Sequence, residues 1–143
     1  MYVDAPEKVL TELFRVIKPG GVVYAIEPDW DTMTVNLDDR NLVRRLFQYI
    51  CDKQMASGWI GRELPGLFKK CGFRGIHVEC ATVILAPGAI GETMKDFARQ
   101  ASRDGIFSKA EKNRWNMKVD ALQGSGDLFM TQSMIMVLGR KPS

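Results

Sequence analysis

The residues best placed to do chemistry lie in "VVYAIEPDWD", residues 22–31, where Glu27, Asp29 and Asp31 alternate with Pro28 and Trp30 at the end of an apolar run. Carboxylates with this spacing could orient a polar acceptor or take a proton, and Trp30 could supply an apolar wall. The plainer reading is that the acids solvate a loop and Pro28 fixes its turn. Trp59 and Arg62, in "GWIGRELP", form a second candidate group. They could cap a substrate pocket. Alternatively Trp59 packs on the core and Arg62 pairs with an acid such as Asp29 or Asp31, because a guanidinium leaving water needs a carboxylate. Tyr2 could touch a cofactor or simply belong to a frayed terminus.

Other chemistries find little support. His77 is the single histidine, and Cys51, Cys71 and Cys80 have neither CxxC spacing nor an even count, so no metal site is expected and the thiols read as reduced. "GAIG", residues 88–91, lacks the glycine spacing of a nucleotide loop. The net charge is only +3 and the basic residues are dispersed, which argues against nucleic acid as a partner. No apolar run is long enough to span a membrane, and the first residues do not read as a signal peptide, so a cytoplasmic location is expected.

The elements that must position these residues follow from periodicity. Asp4 and Glu7 form a capping-box pattern before Leu10, Leu13, Phe14 and Ile17, predicting a helix that ends near Lys18, ahead of Pro19-Gly20-Gly21. "VVYAI", residues 22–26, reads as a strand buried on both faces, followed by a loop. Helices are expected over about 40–56, 62–71, 91–102 and from the Ser108/Glu111 capping box to about Leu122. Strands are expected over about 75–86 and 128–139. Met130, Met134 and Met136 on the last strand suit core filling or an apolar pocket. The order implies an α/β fold, yet three strands are few for a sheet covered on both faces.

"YVDAPEKVLTELFRVIKPGGVVYAIEPDWD", "GWIGRELPGLFKKCGF" and "MIMVLGRKP" together resemble class I S-adenosylmethionine-dependent methyltransferases. The resemblance is nearest to the broad type-11 group, which includes quinone-biosynthesis-like enzymes. It implies a Rossmann-like seven-stranded fold of which this chain carries the C-terminal half: about three strands, the last antiparallel, and about five helices. Residues 1–143 would form one partial domain, with 88–125 as a helical insertion and possible lid. The implied cofactor is S-adenosylmethionine, and the acceptor is a small molecule. Glu27, Asp29, Trp30, Trp59 and Arg62 would line the acceptor site, and Tyr2 would be the residual cofactor contact. The family's glycine-rich loop and ribose-binding acid belong to strands outside the match, so the chain is expected to be inactive alone, possibly without cofactor. An unpaired edge on the strand at 22–27 further implies a homodimer. The alternative is a non-catalytic dimeric α/β module that kept the fold and lost the cofactor.

Overall fold

The computed structural model describes residues 5–143, apart from the side chains of 87 and 89. Tyr2 and the expected Asp4 cap lie outside the described residues. Helix α1 (Pro6–Val16) has Ala5 at its N-cap, no side-chain cap and proline in its first turn, where a missing N–H costs nothing. Gly20, at φ +76°, turns the chain into β1 (Val22–Val35). Then follow α2 (Arg40–Tyr49), a π-helical turn (Ile50–Gln54), α3 (Ile60–Lys70) and β2 (Arg74–Ile84). A helical hairpin, α4 (Pro87–Arg103) and α5 (Lys109–Ser125), leads to β3 (Met130–Arg140). The expected Ser108/Glu111 capping box is formed, and Gly126 ends α5 in the left-handed region at φ +80°. Helix α4, expected from about residue 91, starts earlier, at Pro87.

The sheet has the order β1-β3-β2, and β3 runs antiparallel to both neighbours. β1 and β2 are therefore parallel to each other, as the α/β expectation with a reversed last strand requires. Alternation along β1 decides which face is covered. Val23 and Ala25 pack with Leu10, Ile60, Leu64, Phe68, Phe73 and Val137 in a cluster built from α1, α3 and the sheet. Gly139 lets Phe68 and Phe73 close on this face: a Cβ there would lie 2.6 Å from a Phe68 ring carbon and 2.9 Å from Phe73 Cβ.

Tyr24 and Ile26 point the other way and are 55% and 47% exposed. They stand opposite Leu138 and Met136 of β3, which are half-buried. The expectation that residues 22–26 are buried on both faces is thus wrong for this chain: α1 and α3 cover one face, and the other is left to solvent.

A second cluster occupies the far end of the sheet. Leu42, Leu46, Phe47 and Ile50 meet Met94, Ala98, Ala101, Phe107, Trp115 and Val119 of the hairpin, together with Met33 and Met130 from the strands. Met130 fills this core, while Met134 and Met136 remain half-buried. Polar clamps hold the hairpin to α2. Arg45 pairs with Glu111 and donates to the Ile106 carbonyl, Arg114 pairs with Asp39, Lys118 with Asp38, and Tyr49 donates to Asp104 at 2.7 Å. Burial first, and then the Asp104 carboxylate, push the Tyr49 hydroxyl up to about 12. The hydrogen bond from Arg45, aided by the Ser108 backbone, holds Glu111 down at about 2.

Two outcomes follow. Gly139→Ala should lower unfolding free energy by roughly 1–3 kcal/mol in urea titrations, because the new methyl group overpacks two phenyl rings. Glu111 is ionised in the fold down to about pH 2, against an ordinary value of 4.5. Its contribution is therefore complete above about 4.5 and is lost as pH falls through about 2. In acid titrations Glu111→Gln should flatten stability across that window, and an unchanged acid slope would refute the clamp.

Candidate functional site

The acids of "EPDWD" sit inside β1 rather than in a loop after it. Pairing with β3 runs through Asp29↔Ser133, breaks, and resumes at Thr34↔Thr131. The irregularity is built by Thr32, whose hydroxyl donates to the Asp29 carbonyl at 2.7 Å and accepts from Ser133 N–H at 2.9 Å. One side chain thus replaces the interrupted backbone ladder, and β1 continues through the bulge to Val35.

Helix α3 crosses β1 at this point because Gly61 lets the backbones approach. A Cβ on Gly61 would stand 3.1 Å from the Pro28 carbonyl oxygen and 3.2 Å from Asp29 N. The crossing brings Arg62 onto Asp29 in a two-pronged ion pair, Nε to Oδ2 and Nη2 to Oδ1, both 2.7 Å. Nη2 also reaches Asp31 Oδ2 at 3.3 Å, and Asp31 N–H donates to Asp29 Oδ1 at 3.2 Å. The Asp29 side chain is 5% exposed and that of Arg62 is 38% exposed, so the carboxylate is inside and the cation seals it from solvent. The Arg62 guanidinium also lies over the Trp59 ring, 4.8 Å from its centroid. The hydrogen bond to Asp29 raises the Arg62 pKa further above its ordinary value.

The π turn after α2 forms the adjoining wall. Cys51 is buried there, and Gly58 packs so closely that an added Cβ would meet the Cys51 carbonyl oxygen at 2.3 Å. Gly58 O accepts from Trp30 N–H at 3.1 Å, which ties the turn to β1. Burial, reinforced by the nearby Asp31 carboxylate, pushes the Cys51 thiol up and keeps it protonated.

The structure therefore brings Asp29, Trp59 and Arg62 into one contact group. Glu27 is buried two residues upstream on the same face of the strand. Trp30 points away from them and packs against the helical cluster. Cys51, Gly58 and Gly61 were not singled out from sequence. The two glycines flanking Trp59 in "GWIG" were the available signal for a close approach. Among the described residues no group of His, Cys, Asp and Glu could hold a metal ion, and His77 lies exposed beside Glu79 at 2.9 Å. An open groove of about 670 Å³ lies nearby, between the starts of α1 and α3, lined by Glu7, Thr11, Glu12, Ser57, Glu63 and Leu67 among others.

No family model matches the sequence. An uncharacterized 37.1 kDa protein in transposon TN4556 of Streptomyces fradiae is 28% identical over 142 residues, covering 97% of this chain and 40% of that protein. Among solved structures, a putative methyltransferase from Bacillus halodurans C-125 superposes with a TM-score of 0.54 at 15% identity, over 97% of this chain and 59% of that one. The chain shares its fold with part of that structure. A phosphoethanolamine N-methyltransferase 2 from Haemonchus contortus, solved with phosphomonomethylethanolamine and S-adenosylhomocysteine, matches with a TM-score of 0.45 at 18% identity, over 99% of this chain and 31% of that one. The chain thus spans well under two thirds of each of these relatives.

The ion pair predicts a clear asymmetry. Arg62→Ala should cost roughly 2–3 kcal/mol in denaturant unfolding, because it leaves the Asp29 carboxylate buried and unpaired; partial exposure of the guanidinium keeps the loss below that of a fully buried pair. Arg62→Lys should recover little of this, since an ammonium cannot make both 2.7 Å contacts. Full recovery by lysine would show that charge alone matters.

Proposed function

We propose that the chain is the C-terminal part of a class I S-adenosylmethionine-dependent methyltransferase of the type-11 group. The observation that carries this reading is the sheet itself: a reversed strand between two parallel ones, in a fold shared with the Bacillus halodurans structure. The reaction would move a methyl group from the sulfonium of S-adenosylmethionine to a nucleophilic atom of a small-molecule acceptor. S-adenosylhomocysteine would leave as a neutral thioether. Such an in-line displacement depends chiefly on placing donor and acceptor, so buried positioning groups can matter more than one conspicuous catalyst.

In this reading Glu27, Asp29, Trp59 and Arg62 belong to the acceptor side, where β1 passes under α3, and Trp30 would reach the acceptor only from the other side of β1, where it packs against the helical cluster. Asp29 and Arg62 act as a positioning pair, because each already engages the other. Trp59, 49% exposed, offers the acceptor an apolar face. Tyr2 would touch the cofactor, and the hairpin of residues 88–125 would wall or cover the acceptor. The cofactor's phosphate-free sugar and methionine arms would be held mainly by a glycine-rich loop and a ribose-binding acid, and the sequence of this chain contains no GxGxxG. The chain alone is therefore proposed to be inactive; it is further proposed to be cytoplasmic and dimeric through the β1 edge, beside the open face on which Tyr24 and Ile26 lie exposed. The internal satisfaction of Asp29 by Arg62 favours a second reading, a non-catalytic dimeric module with the same fold.

Calorimetric titration with S-adenosylhomocysteine separates these readings when run on the 143-residue chain and on the full-length Streptomyces fradiae relative. Binding by the relative and none by the chain is the expected result. No binding by either would sink the methyltransferase reading in favour of the module. Sedimentation should find the chain as a dimer that Ile26→Lys converts to a monomer; a monomeric parent chain would remove the dimer from the proposal.

A further inference from the structure

Beyond the Asp29–Arg62 site, one groove combines apolar lining with unsatisfied positive charge. It measures about 560 Å³ and lies between the last residues of β1 and the start of α2, with Met33, Thr34, Val35 and Val43 among its lining residues. Arg40 and Arg44, both exposed, also line it, as do Asn36 and the exposed Asp38. Most other arginines are engaged: Arg15 with Glu12, Arg45 with Glu111, Arg62 with Asp29, Arg99 with Asp96 and Arg114 with Asp39. Among the described residues, the Arg40 and Arg44 side chains make no hydrogen bond or ion pair, although the Arg40 backbone N–H donates to the Asp38 carbonyl at 3.0 Å.

Their placement runs against three local rules. They are like charges at i and i+4, which repel across one helical turn. They sit in the first turns of α2, where the helix dipole disfavours cations, and no acidic residue occupies that first turn. The nearest acids are already taken: Asp38 by Lys118, and Asp39 by Arg114 and by the Leu42 N–H it caps. The groove therefore carries two arginines without an ion-pair partner, and one acid already held by Lys118, beside the apolar side chains of Met33, Val35 and Val43. Local rules broken without internal compensation are a mark of function, because a bound group can supply what the fold lacks.

We propose that this groove binds a small molecule carrying an oxyanion, a carboxylate or a phosphate monoester, on an apolar body. The guanidiniums of Arg40 and Arg44 would bracket the oxyanion, whose planar or tetrahedral oxygens match their forked donors. The apolar body would lie along Val35, Val43 and Met33. The volume falls in the ordinary range for small-molecule sites. The inference is independent of the methyltransferase reading: failure of either leaves the other standing.

The test is an amide-resolved NMR titration of the labelled chain with phenyl phosphate, with benzoate and with inorganic phosphate, each at matched ionic strength. Saturable shifts confined to the amides of about residues 33–44 are expected, weakened at least tenfold in R40Q/R44Q. Tighter binding of phenyl phosphate than of benzoate assigns a phosphate ester, and the reverse assigns a carboxylate. Inorganic phosphate binding as well as phenyl phosphate would remove the apolar body from the proposal and overturn it in that form. Absence of saturable shifts, or shifts unchanged in R40Q/R44Q, would overturn it altogether. Thermal unfolding supplies a control: without ligand, R40Q/R44Q should melt higher than the parent, because a repulsion is removed. A lower melting temperature would mean that the arginines support the fold, and the proposal would fall.

Discussion

The sheet depends on a single strand. β3 is hydrogen-bonded to β1 on one side and to β2 on the other, and the two outer strands do not touch. Every residue that places Asp29 against Arg62 is held through this pairing: Ser133 anchors the Thr32 hydroxyl, Ile135 lies beside Gly61, and Gly139 admits Phe68 and Phe73. The same strand joins the two hydrophobic clusters, Met130 belonging to the helical one and Val137 to the one beneath α1 and α3. Perturbation of β3 is therefore felt at both ends of the molecule, whereas a change in the α4–α5 hairpin is confined to one cluster.

Around that strand, burial is uneven. One face of the sheet is closed by α1 and α3, with aromatic contacts such as the edge-on Phe14–Phe73 pair, 5.0 Å between centroids. The opposite face carries Tyr24 and Ile26 in solvent beside two half-buried methionines. A contiguous apolar surface of this kind is uncommon on an isolated monomer. The Asp29–Arg62 pair belongs to the closed side, which explains how a carboxylate can be nearly inaccessible: its counter-ion forms the lid, and Trp59 lies beneath the guanidinium.

Helix positions were legible because apolar spacing and caps are local signals. Leu64 and Phe68 mark the buried face of α3, and Ser108 and Glu111 mark the start of α5. The reversed last strand was legible through the family resemblance. The extent of β1 was not. Proline, tryptophan and three acids read as a loop, and only a side chain 101 positions from its partner, Thr32 to Ser133, keeps the strand going. Exposure of Tyr24 was equally hidden, since "VVYAI" is apolar at every position and its burial depends on what lies across the sheet. For the candidate site, pairing of Arg62 with Asp29 was one of two readings, and the decisive local features, Gly58 and Gly61, carry no charge to draw attention.

β3 also follows both of its partners in the sequence. Neither β1 nor β2 bonds to the other, so among the described residues each gains a sheet partner only when residues 130–140 pair with it. The helices can form before that pairing, but without it β1 and β2 are not joined in this sheet. Long-range pairing of this kind is slow and leaves strand edges open to other chains. Loss of residues 130–140 would thus cost the whole three-stranded sheet rather than one edge of it.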